Sequence, residues 1–140
     1  MSLAHHSLVA WQRADDLFIQ LHQLSLKAFP AYERFELGGQ LRRAAYSVAA
    51  NIVEGFAHAP GRARLNFLNI AQASLAEAGY CIHVARRLGY ISEAVANELE
   101  IQVKEVRAPL AGLIRSARVK LAAATGTAVI LISALIVQLG

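Results

Sequence analysis

The chain of 140 residues has one cysteine, three prolines and no charged side chain after Lys120. Each shortage excludes something. A lone Cys81 cannot close an intramolecular disulfide, so a reducing compartment suits the chain. Scarce proline beside abundant alanine and leucine favours helix over sheet. Met1 to Ser7 lacks a basic stretch followed by an apolar run, so no secretory leader is expected. No segment alternates as a half-buried strand would, and no repeat is visible. No histidine, serine or cysteine stands in a recognised activating arrangement with a carboxylate, which argues against an enzyme.

What is present is one domain's worth of chain, 56% hydrophobic, with a formal charge of +4. A mildly basic balance permits an anionic partner without requiring one. Two regions appear. Residues 1–120 hold every charged side chain, and residues 121–140 hold none.

Apolar residues at steps of three and four predict four helices. The first spans about Ser7 to Ala28, with Trp11, Ala14, Leu17, Phe18, Leu21, Leu24 and Ala28 on one face, and ends at Phe29-Pro30. The second spans Leu37 to Phe56, with Leu41, Ala45, Val48, Ile52 and Phe56 as its stripe; Ala59-Pro60-Gly61 follows as a break. The third spans Arg62 to Leu88 along Leu65, Leu68, Ala71, Leu75, Ala78, Ile82 and Ala85, with Gly89 suited to the left-handed position after it. Ser92 caps a fourth, striped by Val95, Leu99, Val103, Val106, Leu110, Leu113 and Ala117. Pro109 inside that stripe predicts a kink. Short connections then imply an all-α, antiparallel up-down-up-down four-helix bundle, with an additional apolar C-terminal helix in the tail.

The stretch Leu41 to Pro60, LRRAAYSVAANIVEGFAHAP, carries a family resemblance. With it go Val9-Ala10-Trp11-Gln12, Phe29-Pro30-Ala31-Tyr32-Glu33, Gln40 to Ala44, Ser47, Asn51 to Gly55, Phe67-Leu68, Ala71, Ser74, Glu77 and Leu88-Gly89-Tyr90. Over about residues 5–118 the chain resembles the bacterial four-helix bundle proteins encoded within intervening sequences of 23S ribosomal RNA. The resemblance implies a helical bundle that assembles into rings, often pentamers. A related branch, the accessory protein of diversity-generating retroelements, binds a reverse transcriptase and RNA. An RNA or ribonucleoprotein partner is thus an expectation from the resemblance.

Two groups of residues are candidate sites. Arg42, Arg43, Arg62 and Arg64 offer a surface for nucleic-acid phosphates. Arg62 and Arg64 open the third helix, where cations oppose the positive dipole end. A phosphate could compensate, or a carboxylate such as Glu54. Arg86 and Arg87 end a helix, where cations are expected anyway. Ser47, Asn51 and Glu54 share one helical face, as do Ser74 and Glu77. Read structurally, they are a buried hydrogen-bonded network fixing register or a subunit interface; read chemically, they are a carboxylate pair with a positioning amide. His5-His6 lacks an i, i+4 partner, and Cys81 and His83 face different ways on a helix, so neither a metal nor a cofactor is expected.

Leu121 to Leu139 are 19 consecutive uncharged residues. As a helix they span roughly 28 Å, near the thickness of a bilayer's hydrocarbon core. Arg115, Arg118 and Lys120 precede them, as the positive-inside rule arranges on the cytoplasmic side. Nine strongly apolar residues contribute roughly −3 to −5 kcal/mol of insertion free energy, partly offset by Thr125, Gly126, Thr127, Ser133 and Gln138. The tail is therefore a membrane anchor or an apolar helix packed between subunits. The expectation is a cytoplasmic, non-enzymatic, self-associating adaptor bundle. An RNA-binding ring and a tail-anchored adaptor are the alternatives.

Overall fold

Apolar side chains three and four apart gather into a seam, and burying that seam drives the helices together. The computed structural model describes residues 3–139 (the side chain of residue 128 apart), and among them every regular element is helical. Helix α1 is Val9–Ala28, α2 Leu37–Ala57, α3 Arg62–Arg87 and α4 Glu93–Leu139, with short 3-10 turns at Ala4–Ser7 and Ala31–Glu33.

Pairwise contacts fix the directions. Ser25 of α1 meets Arg42 of α2, and further back along α1 Phe18 meets Tyr46. Ser47 of α2 meets Ser74 of α3, whereas Gly55 lies against Phe67. Gly79 of α3 faces Val103 of α4, and Leu68 shares a cavity wall with Leu113. In each pair rising numbers on one helix meet falling numbers on the next, so the bundle runs up-down-up-down.

The core follows the seams. Leu21, Leu41, Ile52, Leu68, Leu75, Ile82 and Leu110 are fully buried. Emptying such a site, as in Leu75→Ala, typically costs about 2–5 kcal/mol. On α4 the seam differs from the expected stripe. It begins at Ala96 rather than Val95, which is 37% exposed, and ends on buried Ile114, with Leu113 only partly covered. The neighbouring helices fix the angle at which α4 is buried, and side-chain size does not override it.

Helix ends are closed locally. Gly89 has φ 78°, which a side chain would strain. The N–H of Tyr90 donates to the Ala85 carbonyl and that of Gly89 to Arg86, a complete Schellman motif. Ser92 Oγ accepts the Val95 N–H at 3.2 Å and caps α4. At Gly55 an added Cβ would lie 3.4 Å from the Arg64 carbonyl and from Phe67, so α2 and α3 approach closely there.

α4 is helical through Pro109, where the kink is expected. Proline removes the N–H that would serve the Glu105 carbonyl four residues back, and Arg13 Nη1 donates to that carbonyl at 2.9 Å instead. One expectation for α4 does change: the apolar tail is no additional helix. It is the direct continuation of α4, because nothing between Ala117 and Leu121 breaks a helix.

Candidate functional site

α4 leaves the bundle at one end. Among the described side chains Ile114 is its last buried one, and beyond Leu121 all of them are exposed. An apolar helix roughly 28 Å long thus stands clear of the core. An 18-residue window of it is apolar enough to cross a membrane, and none of that window is buried.

Three chain segments meet at this end. Phe56, Pro60, Gly61, Arg64 and Leu68 from the α2–α3 corner face Leu113, Ser116, Ala117 and Lys120 of α4 across a cavity of ≈ 100 Å³. Leu3, Ala4 and His5 cover Val53, Phe56 and Ala57 beside it. His5 is buried there, and burial, then neighbouring His6, holds its imidazole below the usual pKa. Lys120 on the cavity wall, Arg62 beside Gly61, and Arg115 and Arg118 on the side of α4 turned away from the cavity are all exposed. No carboxylate follows Glu105, and between Glu36 and Glu77 only Glu54 occurs. At the opposite end Glu33, Glu36, Glu93, Glu98 and Glu100 are interleaved with Lys27, Arg34, Arg42, Arg43, Arg86 and Arg87, so both signs are mixed there.

The four candidate arginines do not converge. Arg42 and Arg43 lie in the first third of α2, whereas Arg62 and Arg64 lie beyond its far end, roughly 20 Å away along the axis. Arg42 Nη1 donates to Ser25 Oγ at 2.9 Å and Nη2 to the Arg34 carbonyl at 2.6 Å. Ser25 passes the chain on to the His22 carbonyl at 3.0 Å. Arg64 Nε donates to the Gly55 carbonyl at 3.1 Å and Nη2 to that of His58 at 2.7 Å, with its guanidinium 4.3 Å from the centre of the Phe56 ring. Arg64 therefore closes the C-terminal end of α2, whose last carbonyls lack helical donors. Its compensating negative charge is that helix end, and Glu54 is not among its partners. Arg43 and Arg62 are exposed.

Of the five network candidates, three come together. Ser47 Oγ and Ser74 Oγ are 2.8 Å apart across α2 and α3. Asn51 Nδ2 donates to Ser47 Oγ at 2.9 Å and to the Ser47 carbonyl at 2.7 Å. Glu54 and Glu77 stay exposed, outside these bonds. Glu77 instead lies near Cys81, whose thiol is pushed up by burial and then by that carboxylate, a setting that suppresses the reactive thiolate. Among the described residues no three His, Cys, Asp or Glu side chains gather where a metal ion could sit.

Sequence reasoning did not foresee the groove between α1 and α2. Trp11, Phe18, Ile19, Tyr46, Ala49, Ala50 and Val53 line it, with Asp15 and Glu54 on its edges, around ≈ 320 Å³. Exposed Tyr46 and Ile19, away from either core stripe, were the only signal.

The class is thus an antiparallel four-helix bundle carrying an unpacked helical extension. A profile of the family described as 23S rRNA-intervening sequence protein matches residues 6–112, and the chain belongs to that family. Among solved structures it is similar to a protein of unknown function from the S23 ribosomal protein family of Bacteroides thetaiotaomicron VPI-5482. The TM-score is 0.71 at 21% identity, over 76% of this chain and 96% of that one. At that identity the likeness concerns the fold. No curated protein matches the chain. The family match ends at 112, so residues 113–139, the whole extension included, lie outside it.

Proposed function

We propose that this protein is a non-enzymatic adaptor bundle held at a membrane by the C-terminal half of α4, with the bundle on the cytoplasmic side. One observation carries the reading: α4 runs past the core for 18 residues after Leu121 with its described side chains exposed. Leaving that much apolar surface in water is unfavourable at about 25 cal/mol per Å², and a bilayer removes the cost. Arg115, Arg118 and Lys120 at its base resist translocation and set the orientation. The RNA reading has less support, because Arg42 and Arg64 are engaged within the bundle and only Arg43 and Arg62 remain of that group.

The test is carbonate washing of host membranes. The full chain is expected in the pellet. Ile132→Lys, which costs roughly 2.5–3.5 kcal/mol at mid-span, is expected to release it. A full chain that is soluble without detergent, and whose oligomer dissociates on Ile132→Lys, would instead make the tail a helix packed between subunits. A soluble chain indifferent to that change would remove both roles.

A further inference from the structure

The anchor reading leaves open whether the bundle swings freely above the bilayer or rests on it. We propose that the end from which α4 emerges is a docking face for anionic phospholipid headgroups. The face is built from two segments distant in sequence, the α2–α3 corner and the base of the tail. The inference rests on the anchor reading and adds the surface and its partner.

Three observations support it. The first is the lack of a linker. Ile114 belongs to the core, Ala117 packs against it, and the uncharged span begins at Leu121 in the same helix. The gap from Ile114 to Leu121 is therefore only about two helical turns, roughly 10 Å. The end of the bundle cannot turn away from a bilayer that holds the tail.

The second is charge. Arg62 from the corner and Arg115, Arg118 and Lys120 from α4 are exposed at this end, and Arg64 and Lys120 line the same cavity. The carboxylates nearest to them are Glu54 on α2 and, further along α1, Asp15 and Asp16. The end is thus net cationic, whereas at the opposite end carboxylates nearly match the cations. Each Lys or Arg close to an anionic leaflet is worth about 1 kcal/mol, roughly fivefold in occupancy.

The third is the apolar surface among these cations. Val119, between Arg118 and Lys120, is 67% exposed, and Ala59 and Pro60 are exposed in the corner beside Arg62. Small apolar groups between cations suit the headgroup layer, where phosphate and acyl carbon are both within reach.

The experiment uses the full chain in vesicles of phosphatidylcholine alone or mixed with phosphatidylglycerol. Retention of protein by washed vesicles reads the anchor. Arginine modification by phenylglyoxal, followed residue by residue by mass spectrometry, reads the docking. Arg62 is expected to react about fivefold more slowly on the anionic vesicles than on the neutral ones, and high salt should erase the difference. Arg87, exposed at the other end of α3, is the internal reference and should react equally on both. The combined R115Q, R118Q and K120Q variant should lose protection at the unaltered Arg62. Equal Arg62 rates on both vesicles, with the protein still retained, would overturn the docking face and leave the anchor standing. Protein lost from both vesicle types would overturn the two together.

Discussion

Arg13 supplies Glu105 with the hydrogen-bond donor that Pro109 cannot provide. The 2.9 Å bond joins α1 to α4 across the bundle at the one carbonyl the proline leaves without its helical N–H. It predicts energetic coupling between residues far apart in sequence. Arg13→Ala should cost about 1 kcal/mol in the parent and less when Pro109→Ala restores the backbone donor. Urea unfolding of the two single variants and the double variant gives the coupling directly. A coupling indistinguishable from zero would mean the bond carries nothing.

Arg64 and Arg62 should separate cleanly despite lying two residues apart. Arg64→Gln removes the donors to Gly55 and His58 and should lower stability by about 1–2 kcal/mol. Arg62→Gln should stay within about 0.5 kcal/mol, as exposed substitutions usually do. Thermal denaturation in detergent would rank them, and equal melting would remove the helix-closing role from Arg64.

The Ser47–Asn51–Ser74 cluster predicts a particular non-additivity. Ser74→Ala leaves Ser47 short of a partner in a half-buried site and should cost about 1 kcal/mol. Changing both serines to alanine should cost less than the sum of the single changes. Glu54→Gln should be nearly neutral, because Glu54 stands outside the cluster. A large loss from Glu54→Gln would show that the carboxylate has a role the fold alone does not give it.

His5 predicts an acid response. Its folded pKa is lowered, so folding favours the neutral ring. That contribution is fully present above the unfolded value of about 6.5 and is lost as pH falls through the lower folded pKa, where the unfolded chain binds the extra proton. The Trp11 ring, 4.7 Å from that of His5, reports the change. Its fluorescence should titrate with a midpoint below 6.5, and His5→Ala should abolish that step. A midpoint at or above 6.5 would contradict the burial argument.

Much of the fold was legible because helix seams are a local property. The stripe Leu41, Ala45, Val48, Ile52 placed α2 to within a residue at its end, and Leu68, Ala71, Leu75, Ala78 did the same for α3. Gly89 and Ser92 announced their helix ends through backbone freedom and a short hydroxyl. The Arg13–Glu105 and Arg42–Ser25 bonds were not legible, because each depends on the relative heights of two helices. A long guanidinium gives no sign in sequence of whether it reaches a carbonyl or a solvent anion. Hence four arginines that looked alike divide into two that brace helices and two that face solvent. The tail read as a separate unit because charge stops at Lys120, yet charge is not what a helix needs to continue.

The unbroken course of α4 makes orientation a matter of counting. At 3.6 residues per turn each residue advances the helix by about 100°. One alanine inserted between Lys120 and Leu121 would lift the bundle by only about 1.5 Å, but it would swing the α1–α2 groove from one bearing to another around the tail. Seven would return it to nearly its starting bearing, about two turns higher. A partner that meets both the groove and the tail would therefore follow the phase of the insertion rather than its length.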